Sequence, residues 1–152
     1  MTAQNAKKKV SSSLEDYLEA IYKIIEEKNA VKAIEISRRL GVGRSSVTEA
    51  LKSLAEKKLV NYGRYDVISL TAAGEDAAKK IVLKHKVLYD FLTQILDVNP
   101  EEAQKSACEI EHVITDEILD KLVCFIEFNK QFCRDDKQYL EEFKKFCSEK
   151  NK

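Results

Sequence analysis

Turn-forming residues are scarce. The 152 residues include four glycines and one proline, about 3% of the chain against a typical ~12%. This argues against a turn-rich β-sandwich and for helices. All four glycines (Gly41, Gly43, Gly63, Gly74) lie in the first half, and the proline is Pro100. The four cysteines (Cys108, Cys124, Cys133, Cys147) form no CxxC pair, which argues against a disulfide frame and leaves packing or metal ligation as their roles. No apolar run approaches the ~18 residues of a membrane helix, and the N-terminus has no signal-peptide h-region. A cytoplasmic chain with no membrane partner is expected. Net charge is also lacking, with 26 Lys and Arg against 26 Asp and Glu.

The charge is unevenly placed. Residues 1–71 carry 13 basic and 9 acidic groups, and residues 72–152 carry 13 and 17. A basic half on a neutral chain points to an anionic partner for that half. Lys7, Lys8 and Lys9 weaken the signal, because they sit in a polar, aperiodic stretch at the N-terminus.

Apolar periodicity gives the elements. Leu14, Leu18, Ile21, Tyr22 and Ile25 recur at helical spacing. Ser13-x-x-Asp16 reads as a capping box at the start of that helix. A short helix over about 34–40 stops at Gly41-Val42-Gly43, and another runs from about Arg44 to Lys57. Val47, Ala50, Leu51 and Leu54 share one face of this third helix. Leu59–Tyr62 and Val67–Leu70 are β-prone runs around Gly63-Arg64-Tyr65-Asp66, as in a small hairpin. Thr71 then caps a long helix through Leu96. Asn99-Pro100-Glu101-Glu102 starts the next helix, with Pro at its first position. Thr115 caps a helix through about Phe128, and a last helix carries Leu140, Phe143 and Cys147 on one face. The fold class expected is mainly α: a winged helix-turn-helix DNA-binding domain over 1–72, then an all-helical domain over 73–152.

Two short helices, a tight glycine turn and a hairpin are the parts of a winged helix-turn-helix. The outer face of the third helix carries Arg44, Ser45, Ser46, Thr48 and Lys52, which can reach phosphates or base edges without an apolar obstacle. Arg64 and Tyr65 stand at the hairpin tip, where a wing meets the DNA backbone. Glu49 on the same helix face either accepts from cytosine or is simply solvated. A protein-binding winged helix is the plainer alternative.

Cys108, Glu111 and His112 stand at i, i+3 and i+4, so on a continuous helix they share a face. Thiolate, carboxylate and imidazole are transition-metal ligands. A buried cysteine beside a surface Glu-His pair explains the triplet equally well. Asp16 and Glu19 are likewise spaced i, i+3, with the capping box and an exposed charge as plainer roles. Cys124, in Leu122-Val123-Cys124-Phe125-Ile126, reads as a core residue.

The chain resembles the diphtheria-toxin-repressor family of metal-dependent regulators, on its short manganese-transport-regulator branch. The likeness rests on Ser13-Leu14-Glu15-Asp16-Tyr17-Leu18-Glu19-Ala20-Ile21-Tyr22, on Ser45-Ser46-Val47-Thr48, on Leu70-Thr71-Ala72-Ala73-Gly74 and on Glu111-His112. The resemblance implies metal ligands at Asp16, Glu19, His85, Glu111 and His112, with a further ligand position at Cys108. It also implies a helical dimerisation domain, a homodimer and a repressor of metal-uptake genes. Manganese-type relatives usually carry Glu where Cys108 stands, and iron-type relatives carry Cys there but Met where Asp16 stands. This chain mixes the two, so Mn²⁺ or Fe²⁺ is expected, with Zn²⁺ or Co²⁺ as other candidates. The ancillary site of the iron type falls on Tyr89 and Gln104 and is expected to be absent.

The expected function is therefore a metal-activated repressor that binds a pseudo-palindromic duplex as a dimer. A winged-helix factor without metal, sensing redox state or a small molecule, is the alternative. An enzyme is not expected, because no glycine-rich phosphate loop and no Ser/His/Asp arrangement is present.

Overall fold

A computed structural model describes residues 10–63, 68–132 and 136–150. Its elements are α1 (Ser12–Lys28), α2 (Ala33–Leu40), α3 (Arg44–Glu56), β1 (Val60–Tyr62), β2 (Ile68–Leu70), α4 (Ala72–Asp90), a π-helical turn (Phe91–Ile95), α5 (Pro100–Ile110), α6 (Asp116–Phe132) and α7 (Asp136–Lys150). The mainly α expectation holds. The chain divides into two compact units inside α4, Met1–Val82 and Leu83–Lys152. No helix among the described residues is long and apolar enough to cross a membrane.

In the first unit, α1 buries Leu18, Ile21 and Ile24 against Ile36 of α2 and Val47, Leu51 and Leu54 of α3. Leu18, Ile21, Val47, Leu51 and Leu54 stand on the inward faces expected from the sequence, whereas α1 buries Ile24 in place of the expected Ile25, which is half-buried. The start of α1 differs from the expected capping box. Ser11, not Ser13, is the N-cap, and its hydroxyl accepts from the Leu14 N–H at 3.4 Å. Asp16 is then an internal residue of α1, and no cap role accounts for its carboxylate.

Helix α2 begins at Lys32, which offers no side-chain acceptor, but the Glu35 carboxylate reaches back to the Lys32 N–H at 3.0 Å. Its end is set by Gly41, whose φ of 66° lies in the left-handed region that suits glycine. Ser37 closes that turn by donating its hydroxyl to the Val42 carbonyl at 2.6 Å. The turn therefore aims α3 from both sides. The hairpin pairs Val60 with Leu70 and Tyr62 with Ile68 in antiparallel register.

Thr71 caps α4 as expected, accepting from the Gly74 N–H at 3.0 Å while donating to the Lys58 carbonyl at 2.7 Å. Gly74 lies against the Leu59 carbonyl so closely that a Cβ would stand 1.8 Å from its oxygen. The α4 N-terminus thus seats directly on the root of the hairpin. In the second unit, α4 does not continue as one α-helix to Leu96. It gives way at Phe91 to a π turn, where the Leu96 N–H bonds the Phe91 carbonyl. Thr93 contributes by donating its hydroxyl to the Tyr89 carbonyl at 2.8 Å, which competes with the regular ladder.

Helix α5 opens as the sequence indicates, with Asn99 Oδ1 accepting from the Glu101 N–H at 2.9 Å and Pro100 at the first position. Val87, Leu88, Ala107, Ile114, Leu119 and Ile126 form the second core. Cys124 corrects the expected core role: it is exposed, because α6 turns Ile126 and Leu119 inward instead.

Candidate metal centre

Three donors converge within the second unit. One ligand atom each of His85, Cys108 and Glu111 lie within 4.8 Å of one another. His85 comes from α4, Cys108 from α5, and Glu111 caps the α5 C-terminus. Glu111 is 2% exposed, a burial that a carboxylate sustains only with strong partners. One oxygen has such a partner: His85 Nδ1 stands 2.6 Å from Oε2. An ionised carboxylate only accepts, so the hydrogen on this contact belongs to Nδ1. His85 Nε2 can then accept from the Gln104 amide, which is 3.0 Å away.

The other oxygen, Oε1, is buried and has no hydrogen bond among the described residues. His112 Nε2 is its neighbour at 3.7 Å, too long for a direct bond. A buried carboxylate with one imidazole on Oε2, a second 3.7 Å from Oε1 and a thiol in the same cluster is an environment a divalent cation satisfies. The donor set therefore fits a transition metal. Cys108 is exposed, so solvent reaches the thiol side of the cluster.

The continuous helical face expected for Cys108, Glu111 and His112 is corrected. Helix α5 ends at Ile110, and residues 111–113 form a turn. Burial of Ile114 and the Thr115 cap of α6, which accepts from the Ile118 N–H at 3.4 Å, pull the chain off the helix axis there. Glu111 retains a near-helical φ of −58° and stays beside Cys108. His112 is not part of the His85–Cys108–Glu111 group, but its ring still offers a ligand atom within 4.8 Å of one from Glu111. Lys84 steadies the same turn, donating to the Ile114 carbonyl at 3.1 Å and pairing with Asp116 at 3.2 Å.

Two supports of the cluster were not anticipated as such. Gln104 lies four residues before Cys108, on the same face of α5, so the 104/108 spacing was the available signal. Lys84 gives no signal in the sequence, because its partners are about thirty residues distant.

Asp16 and Glu19 lie on α1 of the first unit. Asp16 is half-buried. Glu19 is 9% exposed, and Lys23 Nζ comes within 2.7 Å of its Oε1 as an ion pair. That approach lacks hydrogen-bond direction, so Oε1 is charge-compensated without a hydrogen bond.

On α3, Arg44, Ser45, Ser46, Glu49 and Lys52 are exposed, opposite buried Val47, Ala50, Leu51 and Leu54. Thr48 is half-buried and donates its hydroxyl to the Arg44 carbonyl at 3.0 Å, so it is partly withdrawn from that face. Gly43 caps α3 without a side-chain bond. Arg64 and Tyr65 lie outside the described residues.

Two family models match the chain. Residues 9–67 match the iron-dependent repressor N-terminal DNA-binding domain, and residues 71–140 match the iron-dependent repressor metal-binding and dimerisation domain. An uncharacterized HTH-type transcriptional regulator of Methanocaldococcus jannaschii is 42% identical over 119 residues, covering 78% of this chain and 95% of that protein. The HTH-type transcriptional regulator MntR of Shouchella clausii is 35% identical, covering 76% of this chain and 80% of that protein. Among solved structures, a manganese-dependent transcriptional repressor in complex with manganese superposes with a TM-score of 0.69 at 29% identity. It covers 76% of this chain and 53% of that one. The manganese regulator SloR gives 0.68 at 27% identity, with 76% and 54% covered. The chain thus spans about half the length of these solved relatives.

Proposed function

Since the chain belongs to the diphtheria-toxin-repressor family of metal-dependent regulators, on its manganese-regulator branch, we propose that it is a metal-activated, homodimeric DNA-binding repressor of divalent-metal uptake genes. The observation that carries this reading is Glu111. Its buried Oε1 has no hydrogen bond among the described residues, while its Oε2 holds His85 beside Cys108. This lies in the segment that matches a metal-binding and dimerisation domain.

His85, Cys108, Glu111 and His112 are the proposed ligands in the second unit. Asp16 and Glu19 are proposed on the family resemblance. A bound Mn²⁺ or Fe²⁺ supplies positive charge to a group of anionic and neutral donors. Without it, Gln104 occupies the His85 Nε2 lone pair and Glu111 fixes the Nδ1 hydrogen. An ion held at Nε2 would displace Gln104 and leave the Nδ1–H bond to Glu111 as a support of the ring.

DNA contacts are proposed for Arg44, Ser45, Ser46, Thr48 and Lys52 on α3, and for Arg64 and Tyr65. The exposed polar face of α3 supports the first five. The dimer is supported by large apolar side chains left outside in the second unit: Val113 at 74% exposed, Ile118 at 53%, Phe125 at 44% and Phe128 at 55%. Ile118, Phe125 and Phe128 form one stripe of α6, a surface suited to a second copy. A two-fold dimer reads two half-sites, so a pseudo-palindromic operator follows.

Gel-shift binding to the protein's own promoter, with chelator and with each of several divalent metals, tests the reading. Mn²⁺ and Fe²⁺ should restore the shift that chelator abolishes. Glu111→Ala and His112→Ala should lose metal-dependent binding while light scattering still gives a dimer. A variant that still responds to metal like wild type would refute the ligand assignment, and metal-independent binding by wild type would favour the metal-free alternative.

A further inference from the structure

Glu49 is a carboxylate on the face of α3 that the repressor reading turns toward DNA. It is exposed, one turn after Ser45 and one turn before Lys52, both also exposed. Four other carboxylates of this unit are held in ion pairs. Glu19 pairs with Lys23 at 2.7 Å, Glu35 with Lys28 at 2.7 Å, Glu75 with Lys79 at 2.6 Å, and Glu27 with Arg39. Glu49 has no ion pair or hydrogen bond among the described residues, although Lys52 is within reach along the helix. Its flanking side chains at Ser45 and Ser46 are short, so its carboxylate stands clear of its neighbours on that face.

An unneutralised carboxylate is costly next to a duplex, which carries a negative charge every ~1.7 Å. Offsetting that cost requires a donor on the DNA, since an ionised carboxylate can only accept. The major groove offers two kinds of donor, the amino groups of cytosine N4 and adenine N6. Adenine N6 lies between two acceptors, its own N7 and the O4 of the paired thymine. Cytosine N4 has one such neighbour, the O6 of the paired guanine. A negative group is therefore less opposed at cytosine.

We propose that Glu49 is a specificity-determining residue that selects cytosine at one position of each half-site by accepting from its N4 amino group. The assignment rests on the repressor reading. It gives Glu49 a different task from Arg44 and Lys52, whose positive charges suit phosphates and carry no sequence information in such contacts.

The test is selection from a randomised duplex library by the full chain with Mn²⁺, for wild type, Glu49→Ala and Glu49→Gln. Glu49 is exposed, so neither variant should disturb the fold. Wild type should enrich a cytosine at symmetric positions of the two half-sites, and cytosine to thymine there should weaken it about tenfold. Glu49→Ala should bind the two duplexes within about twofold of each other. Glu49→Gln should move the preference toward adenine, which an amide reads through N6 and N7. The salt dependence of Glu49→Ala should not fall, because no phosphate contact is lost. If Glu49→Ala keeps the wild-type preference at every position, the proposal is overturned. If wild type enriches no sequence in Mn²⁺ or Fe²⁺, the repressor reading fails and this assignment with it.

Discussion

On the proposed reading, the choice of metal turns on Cys108. Its thiol belongs to the same cluster as the hard oxygens of Glu111 and the imidazole of His85. Oxygen donors suit Mn²⁺, the weakest binder of the first-row series, whereas a thiolate favours Fe²⁺, Co²⁺ or Zn²⁺. A sensor with Cys108 in its ligand set should therefore answer to Fe²⁺ as well as Mn²⁺. Cys108→Glu should shift activation toward Mn²⁺ and weaken it for Fe²⁺, read by DNA binding under anaerobic conditions. An unchanged ranking would make Cys108 a bystander packed beside the site. Cys108 was legible in the sequence through its i, i+3 relation to Glu111. His85 was not, since it lies 26 residues from Glu111 and only the family resemblance brought the two together. Cys124 misled because an apolar run such as Leu122–Ile126 does not say which of its residues faces inward.

Helices α1 and α2 are joined at their polar edges by two exposed pairs. Arg39 forks onto Glu27, with Nη1 at 3.2 Å from Oε2, and Lys28 meets Glu35 at 2.7 Å. The Arg39 guanidinium holds the Glu27 carboxyl below the ordinary glutamate value of 4.5. Glu35 is lowered in the same direction, first by Lys28 and then by the Lys32 N–H. A carboxylate whose folded value is depressed contributes stability above its unfolded value and loses it as pH falls through the folded one. Wild type should thus lose stability more steeply below about pH 4.5 than the Glu27→Gln, Glu35→Gln double variant, in urea melts across pH. Parallel pH profiles would show that the pairs contribute nothing, as many surface pairs do. At this scale the sequence was informative where periodicity and caps agree. The inward faces of α1–α3, the Gly41 turn and the Asn99-Pro100 start all follow from residue type. Where two serines compete, as at Ser11 and Ser13, a spacing rule picks either one. The π turn after Asp90 and the early end of α5 depend on tertiary packing of Ile114 and on the Thr93 hydroxyl, which no short-range pattern carries.

The whole molecule joins a DNA-binding unit to a metal-binding and dimerising one, and its proposed task requires each to influence the other. On the proposed reading, metal would do so by population shift, favouring the conformers of a dimer whose two copies of α3 match two half-sites. Coupling of this kind is reciprocal: if metal tightens DNA binding by some factor, DNA tightens metal binding by the same factor. The dimer proposed on the exposed apolar stripe of α6 would be the unit in which this occurs, so the stoichiometry of both equilibria should be counted per dimer. The most direct test is calorimetric titration of Mn²⁺ into the metal-free dimer, with and without its promoter duplex. The account predicts that the duplex tightens Mn²⁺ binding by the same factor by which Mn²⁺ tightens duplex binding, on the order of 5–150-fold. Equal Mn²⁺ affinity with and without the duplex would contradict it.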